Sequence, residues 1–305
     1  MNTRRPSISV GLPVYNGERF LRETLNSILT QTFEDFELII SDNASTDGTA
    51  QICKDYAIKD PRIRYFRSDR NLGASKNFNR VFELSSGKYF KWISADDVCA
   101  PTFLEKCKEV LDEHPEVVLC YPKTTIIDEF GRIVRQHEDR LDLRFSRARD
   151  RFYQLFLRLS LSNAMFGLIR SDLLRKTSLL GNYIASDIVL LAELTLYGQF
   201  FELPEYLFFR RIHPQAASSD PSVKRQQEHY DPRTVGNISL TSWRHLVEHL
   251  RSIRRAPLNL VEKLHLMLIV LKLARWEARE LTLELIQALQ ILKKRLFHTL
   301  KNIQI

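Results

Sequence analysis

From residue 7 to about residue 125, short apolar runs rich in β-formers alternate with stretches of helical period. That alternation predicts strand-helix units building a largely parallel sheet. The expected strands are residues 8–12, 36–41, 63–66, 89–93 and 117–121. Between them, Phe20, Leu21, Leu25, Ile28 and Leu29 share one helical face; so do Phe78, Val81 and Phe82, and so do Phe103, Leu104, Cys107, Val110 and Leu111. Pro101 suits a first helical turn, and Pro115 marks the end of that helix. The expected class is α/β, a Rossmann-like, mostly parallel sheet flanked by helices, with a helical C-terminal extension.

The middle of the chain has a different rhythm. A hairpin is expected at 126–133, a mobile arginine-rich loop at 140–151, a strand or turn around 165–169, a helix beginning near Ser186-Asp187 and a strand over 206–212. A polar connector follows Asp220 and runs to about Asn237, and the remainder is helical in pattern. The expected organisation is one domain over 1–220, with halves at about 1–125 and 126–220, a connector over 221–239 and a basic helical extension over 240–305.

Composition sharpens this outline in three ways. The 305 residues are 44% hydrophobic with only 10 Gly and 11 Pro, enough for a sizeable core and an appendage. The net charge of +8 is concentrated in the tail: 12 Lys/Arg against 5 Asp/Glu from residue 240 onward, and 33 against 32 before it. There Leu281, Leu285, Leu289, Leu292 and Leu296 form an apolar stripe, with Lys293, Lys294, Arg295 and Lys301 crowding its end. A helical hairpin packed on the main domain is one reading, and a basic amphipathic face resting peripherally on anionic lipid is the other. Cys53, Cys99, Cys107 and Cys120 show no metal-ligand spacing and read as buried thiols. Met1-Asn2-Thr3-Arg4-Arg5-Pro6 carries no apolar export signal, and the longest apolar stretch, residues 264–271, is too short to span a bilayer. A cytoplasmic protein is expected. No nucleic-acid-binding motif accompanies the basic tail.

In sheets of this kind ligands lie beyond the carboxyl ends of the strands, and the polar residues cluster there. Pro13-Val14-Tyr15-Asn16-Gly17 follows the first strand, Asp42-Asn43-Ala44-Ser45-Thr46-Asp47-Gly48 the second, and Ala95-Asp96-Asp97 the fourth. The adjacent acids Asp96 and Asp97 end an apolar strand, Phe90-Lys91-Trp92-Ile93, where carboxylates at the edge of a core call for a cation. A hard divalent metal held by one or two carboxylates completes its shell with water and phosphate oxygens, which hints at a phosphorylated ligand. Solvated residues of a first helical turn are the plainer alternative.

Taken together, Val10 to Gly17, Ser41 to Thr49, Arg70-Asn71-Leu72-Gly73 and Ser94-Ala95-Asp96-Asp97 resemble, in order and spacing, the family-2 glycosyltransferases of GT-A fold. The resemblance covers about residues 7–215 and stops short of the tail. It implies a nucleotide-sugar donor, with Pro13, Tyr15 and Asn16 around base and ribose and Asp42 accepting a hydrogen bond from the base. It also implies that Asp97 ligates Mg2+ or Mn2+ and that Asp96 assists through the ribose or a metal-bound water. Ala95 stands where many relatives carry another acid. Asn71, Gly73 and Lys76 match the loop flanking the donor, though Asn and Gly also form ordinary turns and Lys76 suits an exposed helix. Asp47 reads equally as a turn residue capping the next helix, and Trp92 as core.

Ile184-Ala185-Ser186-Asp187-Ile188 is similar to the family segment that places a catalytic acid at a helix start, which makes Asp187 the candidate base for an inverting transfer. A helix cap is the alternative role. Arg211 and His213 match an arginine and a histidine that follow the last strand in such domains, where they contact diphosphate or metal; a surface histidine before Pro214 is the other reading. The implied acceptor is a hydroxyl of a saccharide or lipid-linked molecule, in cell-surface polysaccharide or glycoconjugate synthesis. Two rivals stand beside this reading: a non-catalytic nucleotide-sugar or polysaccharide-binding module of the same fold, and a nucleotidyltransferase, which wants an N-terminal glycine-rich basic loop that this sequence lacks.

Overall fold

The computed structural model describes residues 5–216, 219 and 222–303, with side chains described through residue 293. Residues 1–4, on which the expectation about export partly rests, and Asp220, at the expected domain border, lie outside the described residues, as do the side chains of Lys294, Arg295, Leu296 and Lys301.

The strands are β1 (Ile8–Val14), β2 (Phe36–Asp42), β3 (Ile63–Arg67), β4 (Tyr89–Trp92), β5 (Val98–Cys99), β6 (Val117–Ile127), β7 (Ile133–His137), β8 (Leu168–Arg170) and β9 (Gln199–Arg211). The helices are α1 (Leu21–Leu29), α2 (Thr49–Lys59), α3 (Ala74–Glu83), α4 (Phe103–Glu113), α5 (Ala148–Arg158), α6 (Ser171–Leu174), α7 (Ser186–Leu194), α8 (Val223–Tyr230), α9 (Thr241–Arg255), α10 (Leu260–Trp276) and α11 (Ala278–Ile303). The strands form one sheet in the order β3-β2-β1-β4-β8-β6-β9-β5, with β7 paired to β6. β3, β2, β1 and β4 run parallel, joined by α1 and α3, which the apolar periodicity predicts, and by α2, for which it names no face. β8 then pairs antiparallel to both β4 and β6, turning the sheet into a mixed one.

Alternation along the strands explains the two cores. Ile39, Phe90 and Trp92 face one layer, with α3, α5, α7 and the C-terminal helices; Leu38, Ile40, Tyr89 and Ile93 face the other, with α1, α2 and α4. Trp92 is fully buried and donates its indole N–H to the Phe78 carbonyl at 2.8 Å, as a core residue should.

Three expectations need correction. The arginine-rich segment 140–151 is not a mobile loop. Leu141 and Leu143 are fully buried, Leu143 bridges to Phe200, and α5 begins at Ala148. Arg151 is itself buried and gives its guanidinium to the carbonyls of Thr195, Phe145 and Ser146, so here a charged side chain ties loops together. The connector 221–239 contains α8, capped by the Ser222 hydroxyl, and a 3-10 turn at Pro232–Thr234. In the tail, α9 and α10 bury Ile253, Ala256, Leu266, Val270 and Leu273 in the same cluster as Phe152 and Leu190 of the main body. The expected stripe divides: Leu281 is buried, whereas Leu285, Leu289 and Leu292 are exposed. The four cysteines are free thiols, all buried.

Candidate active site

The parallel register fixes the mouth. Val14 pairs with Asp42, and the Asn43 amide donates to the Val14 carbonyl at 2.8 Å, so the loops after β1 and β2 leave the sheet side by side. They are then laced together by side chains. The Asn16 amide donates to the Ser45 hydroxyl at 2.9 Å, the Thr46 amide to Asn16 Oδ1 at 2.8 Å, and the Gly17 amide to the Thr49 hydroxyl at 2.9 Å. Asn16 adopts a left-handed backbone (φ 50°), a conformation Asn tolerates better than most residues. Pro13 is buried at the strand end, while the Tyr15 ring is about half exposed (49%) and offers a face for stacking.

Asp42 is fully buried: Oδ1 accepts from the Ser45 amide at 2.8 Å, Oδ2 accepts from the Tyr65 hydroxyl at 2.9 Å, and Arg67 Nε lies 3.8 Å away. Asp47 behaves as the turn reading has it, accepting from the Thr49 and Glu18 amides. Asn43, which the sequence reading passes over, is the hinge to the third loop. It donates to Asn71 Oδ1 at 2.8 Å and accepts from the Leu72 amide at 2.8 Å. Asn71 in turn accepts from the Gly73 amide at 2.8 Å. Gly73 has φ 85°, and a Cβ there would sit 2.4 Å from the Tyr230 carbonyl oxygen, so both its conformation and its crowding require glycine. Lys76 opens the helix beyond it, partly buried and in electrostatic reach of Asp231.

The acid pair is placed by β5. That two-residue strand pairs antiparallel with Phe208 and Phe209 of β9, which brings Asp96 and Asp97 against the end of β9. The Arg211 amide donates to Asp97 Oδ1 at 2.9 Å, and His213 Nε2 lies 3.0 Å from Asp96 Oδ2. Asp97 is only 3% exposed, and burial, with the Asp96 charge next, pushes its carboxyl pKa upward. Hydrogen bonding to Asp96 raises the His213 pKa, and the ring packs 4.9 Å from that of Phe20. Behind them Lys91 is wholly buried, donates to the Phe166 carbonyl and has its ammonium 3.9 Å from the Phe103 ring centroid. A lysine inside an otherwise apolar strand is the sequence signal for it.

Arg211 departs from its expected contact with the donor. Its guanidinium donates to Glu23 at 2.6 Å, to the Asp96 carbonyl at 2.9 Å and to the Asp128 carbonyl at 3.1 Å, and its side chain is 1% exposed. Buried and bonded to three partners inside the protein, it braces the acid loop.

Asp187 lies in the first turn of α7. The N-cap is Ala185, left-handed (φ 57°, ψ 34°) and without a capping side chain, so the start of this helix does not rest on Asp187. The loop before it is tied to α3, since the Ser75 hydroxyl donates to the Gly181 carbonyl at 2.7 Å and Asn79 exchanges hydrogen bonds with Leu180. α8 completes the enclosure: Tyr230 is in electrostatic reach of Asp187, and its neighbour His229 is in reach of Asp96. Neither residue stands out in sequence, because α8 lies in the polar connector.

The adjacent carboxylates Asp96 and Asp97 are the hard oxygen donors that Mg2+ or Mn2+ takes, while His213 Nε2 is turned to Asp96 Oδ2. Asp97 supports that fit, since a buried acid beside a second acid regains its ionised form when a cation is bound. Among the described residues no group of three or more His, Cys, Asp or Glu is gathered to hold a metal by itself. A metal held there would take the rest of its shell from water or ligand oxygens.

Comparison with known proteins agrees with this geometry. Residues 9–175 match the model of glycosyl transferase family 2. The chain is 34% identical over 134 residues, 43% of its length and 46% of the relative's, to an uncharacterized glycosyltransferase, MJ1057, of Methanocaldococcus jannaschii. The alignment thus spans less than half of either protein. Its fold is similar to that of S. aureus TarS 1-349 in complex with UDP-GlcNAc (TM-score 0.61, 19% identity, 86% of this chain and 70% of that one). It is also similar to the mannosyltransferase PcManGT from Pyrobaculum calidifontis in complex with GDP-Man and Mn2+ (TM-score 0.50, 15% identity, 97% and 88%). A mixed sheet flanked by helices, the acid pair in the loop after its fourth strand and a family match over more than half of the chain lead to one conclusion: this protein belongs to glycosyl transferase family 2.

Proposed function

We propose that the chain is a metal-dependent, inverting glycosyltransferase that moves a sugar from a nucleoside-diphosphate sugar to a hydroxyl of a saccharide or lipid-linked acceptor. The observation that carries this reading is the meeting of the donor loops and the acid-pair loop, Gly17 against Ala95, with Tyr230, in electrostatic reach of Asp187, packed on Gly73. Tyr15 and Asn16 bind base and ribose with Pro13 at the strand end beneath them, and the fully buried Asp42, expected to accept from the base, instead gives its two oxygens to Ser45 and Tyr65 and holds the shape of that corner. Asn71, Gly73 and Lys76 line the diphosphate side. Asp97 and His213 hold Mg2+ or Mn2+ with Asp96 assisting, and the metal, when bound, offsets the charge that develops on the leaving diphosphate. Arg211 keeps that loop in place. Asp187 takes the proton from the acceptor hydroxyl as its oxygen attacks the anomeric carbon from the face opposite the diphosphate, which leaves with its bonding pair.

Similarity to proteins determined with UDP-GlcNAc and with GDP-Man and Mn2+ supports the donor class and the metal. We place the reaction in the cytoplasm, where the four buried free thiols suit a reducing environment, and in the synthesis of a surface polysaccharide or glycoconjugate. No helix among the described residues is long and apolar enough to cross a membrane, so work on a lipid-linked acceptor requires peripheral contact. Slow hydrolysis of the donor separates an enzyme from a binding module. With Mn2+, one of a panel of uridine, guanosine and thymidine diphosphate sugars is expected to release its nucleoside diphosphate catalytically, and chelation should stop the release. Protection of every donor from hydrolysis would favour the binding module.

A further inference from the structure

We propose that the outer face of α10, with the groove between the starts of α5 and α10, is a docking surface for an anionic lipid bilayer. α10 is apolar on both sides, a pattern expected of a helix covered all round. Its inner side is covered: Leu266, Val270 and Leu273 are buried. Its outer side is not. Leu260, Val261, Leu264, Leu268 and Leu271 are each more than half exposed, and their spacing puts them on one stripe over about three turns. Water-facing leucines at that density mark a contact surface, not the scattered apolar residues of an ordinary exterior.

What flanks the stripe selects the occupant. At its first turn a groove of about 370 Å³ is lined by Arg147, Arg149, Asn259, Val261, Glu262 and His265. Glu262 and Asn259 are joined in a capping box, each side chain accepting from the other's backbone amide, which turns that acid toward the helix start. Arg149 Nε lies 3.5 Å from Asp150. The groove thus presents two guanidiniums beside exposed Val261, suited to a phosphate whose ester carries an apolar chain. At the far end Trp276 is half exposed, and Lys272 donates to the Tyr153 hydroxyl at 2.8 Å with its ammonium 5.1 Å from the Trp276 ring. Aromatic rings beside cations, at the border of an apolar stripe, are how a helix lies in a headgroup layer. This surface is also where the arginine-rich segment and the basic C-terminal region meet, two sequence features to which the donor mouth gives no role. The inference does not depend on the glycosyl-transfer reading.

Flotation of the whole chain with vesicles tests it. The chain is expected to float with vesicles containing phosphatidylglycerol and to stay behind with phosphatidylcholine alone, more weakly as salt rises. Leu264→Glu/Leu268→Glu should abolish flotation, and Arg147→Ser/Arg149→Ser should weaken it by roughly thirtyfold. Both variants should keep the wild-type unfolding transition, because the altered side chains are not buried. Failure of the wild type to float with anionic vesicles, or flotation of the leucine variant like wild type, would overturn the proposal. So would a lipid-independent dimer in light scattering that the leucine variant dissolves, since the face would then belong to a second copy of the chain. Donor hydrolysis in both variants should stay at the wild-type level in solution, which separates this outcome from any failure of the proposed reaction.

Discussion

Asp187→Asn should lower sugar transfer by roughly 10²–10⁴-fold, the usual contribution of a positioned general base. Asparagine keeps the size of the side chain and cannot take the acceptor's proton. The substitution should leave the fold intact, because the α7 cap is Ala185 and no side-chain cap is lost. An acid in a first helical turn contributes only about 0.3–1 kcal/mol through the helix dipole. Nucleoside-diphosphate binding should therefore survive while turnover falls, a loss in kcat with little change in donor affinity. Transfer within a few fold of wild type in this variant would remove Asp187 from the chemistry and leave the nearby Tyr230 and His229 to be tested for that role.

The second large effect concerns metal. At about 100 times its Kd, a nucleotide stabilises the folded chain by about 2.7 kcal/mol, a Tm rise of roughly 4 °C for a protein of this size. With the cognate nucleoside diphosphate, most of that rise is expected to require Mn2+ or Mg2+. Asp97→Ala should abolish the metal-dependent part. Without ligands the same variant should be little destabilised, since Asp97 is buried with a raised pKa and gives up one hydrogen bond, from the Arg211 amide. A metal-dependent Tm rise of wild-type size in Asp97→Ala would show that the cation sits elsewhere.

Where the physics was local, the sequence already disclosed the fold. β1 to β4 follow from short apolar β-rich runs and α1 and α3 from period-3.6 faces, with strand borders that differ by a residue or two, as between residues 8–12 and Ile8–Val14, whereas α2 has no apolar face that the pattern singles out. β9 was read from its last half only, because its first half, Gln199 to Glu205, is interrupted by glutamates and a proline. What stayed hidden was set by tertiary contact. Arginines at 140–151 masked the buried Leu141 and Leu143, and nothing local shows that Arg151 turns inward onto three carbonyls. α8 is short and polar and gains its place by resting on Gly73, so its pattern alone looked like linker.

The site divides in the same way. The loop tips around Asn16, Asp42, Asn71 and Asp97 were legible because polar residues after parallel strands must gather at one edge. The inward use of Arg211 was not, because its partners Glu23 and Asp128 lie 188 and 83 positions away in the chain. The buried Lys91 and the linking Asn43 were visible as residue types, but only packing shows what they hold.

A crystal structure of the chain with a nucleoside-diphosphate sugar and Mn2+ tests the central claim most directly. The account requires the base in the corner of Tyr15 and Asp42, the metal and diphosphate at Asp97, and the anomeric carbon turned toward the Asp187 carboxylate. A nucleotide bound away from the strand ends, or a sugar whose anomeric carbon faces away from a distant Asp187, would contradict it.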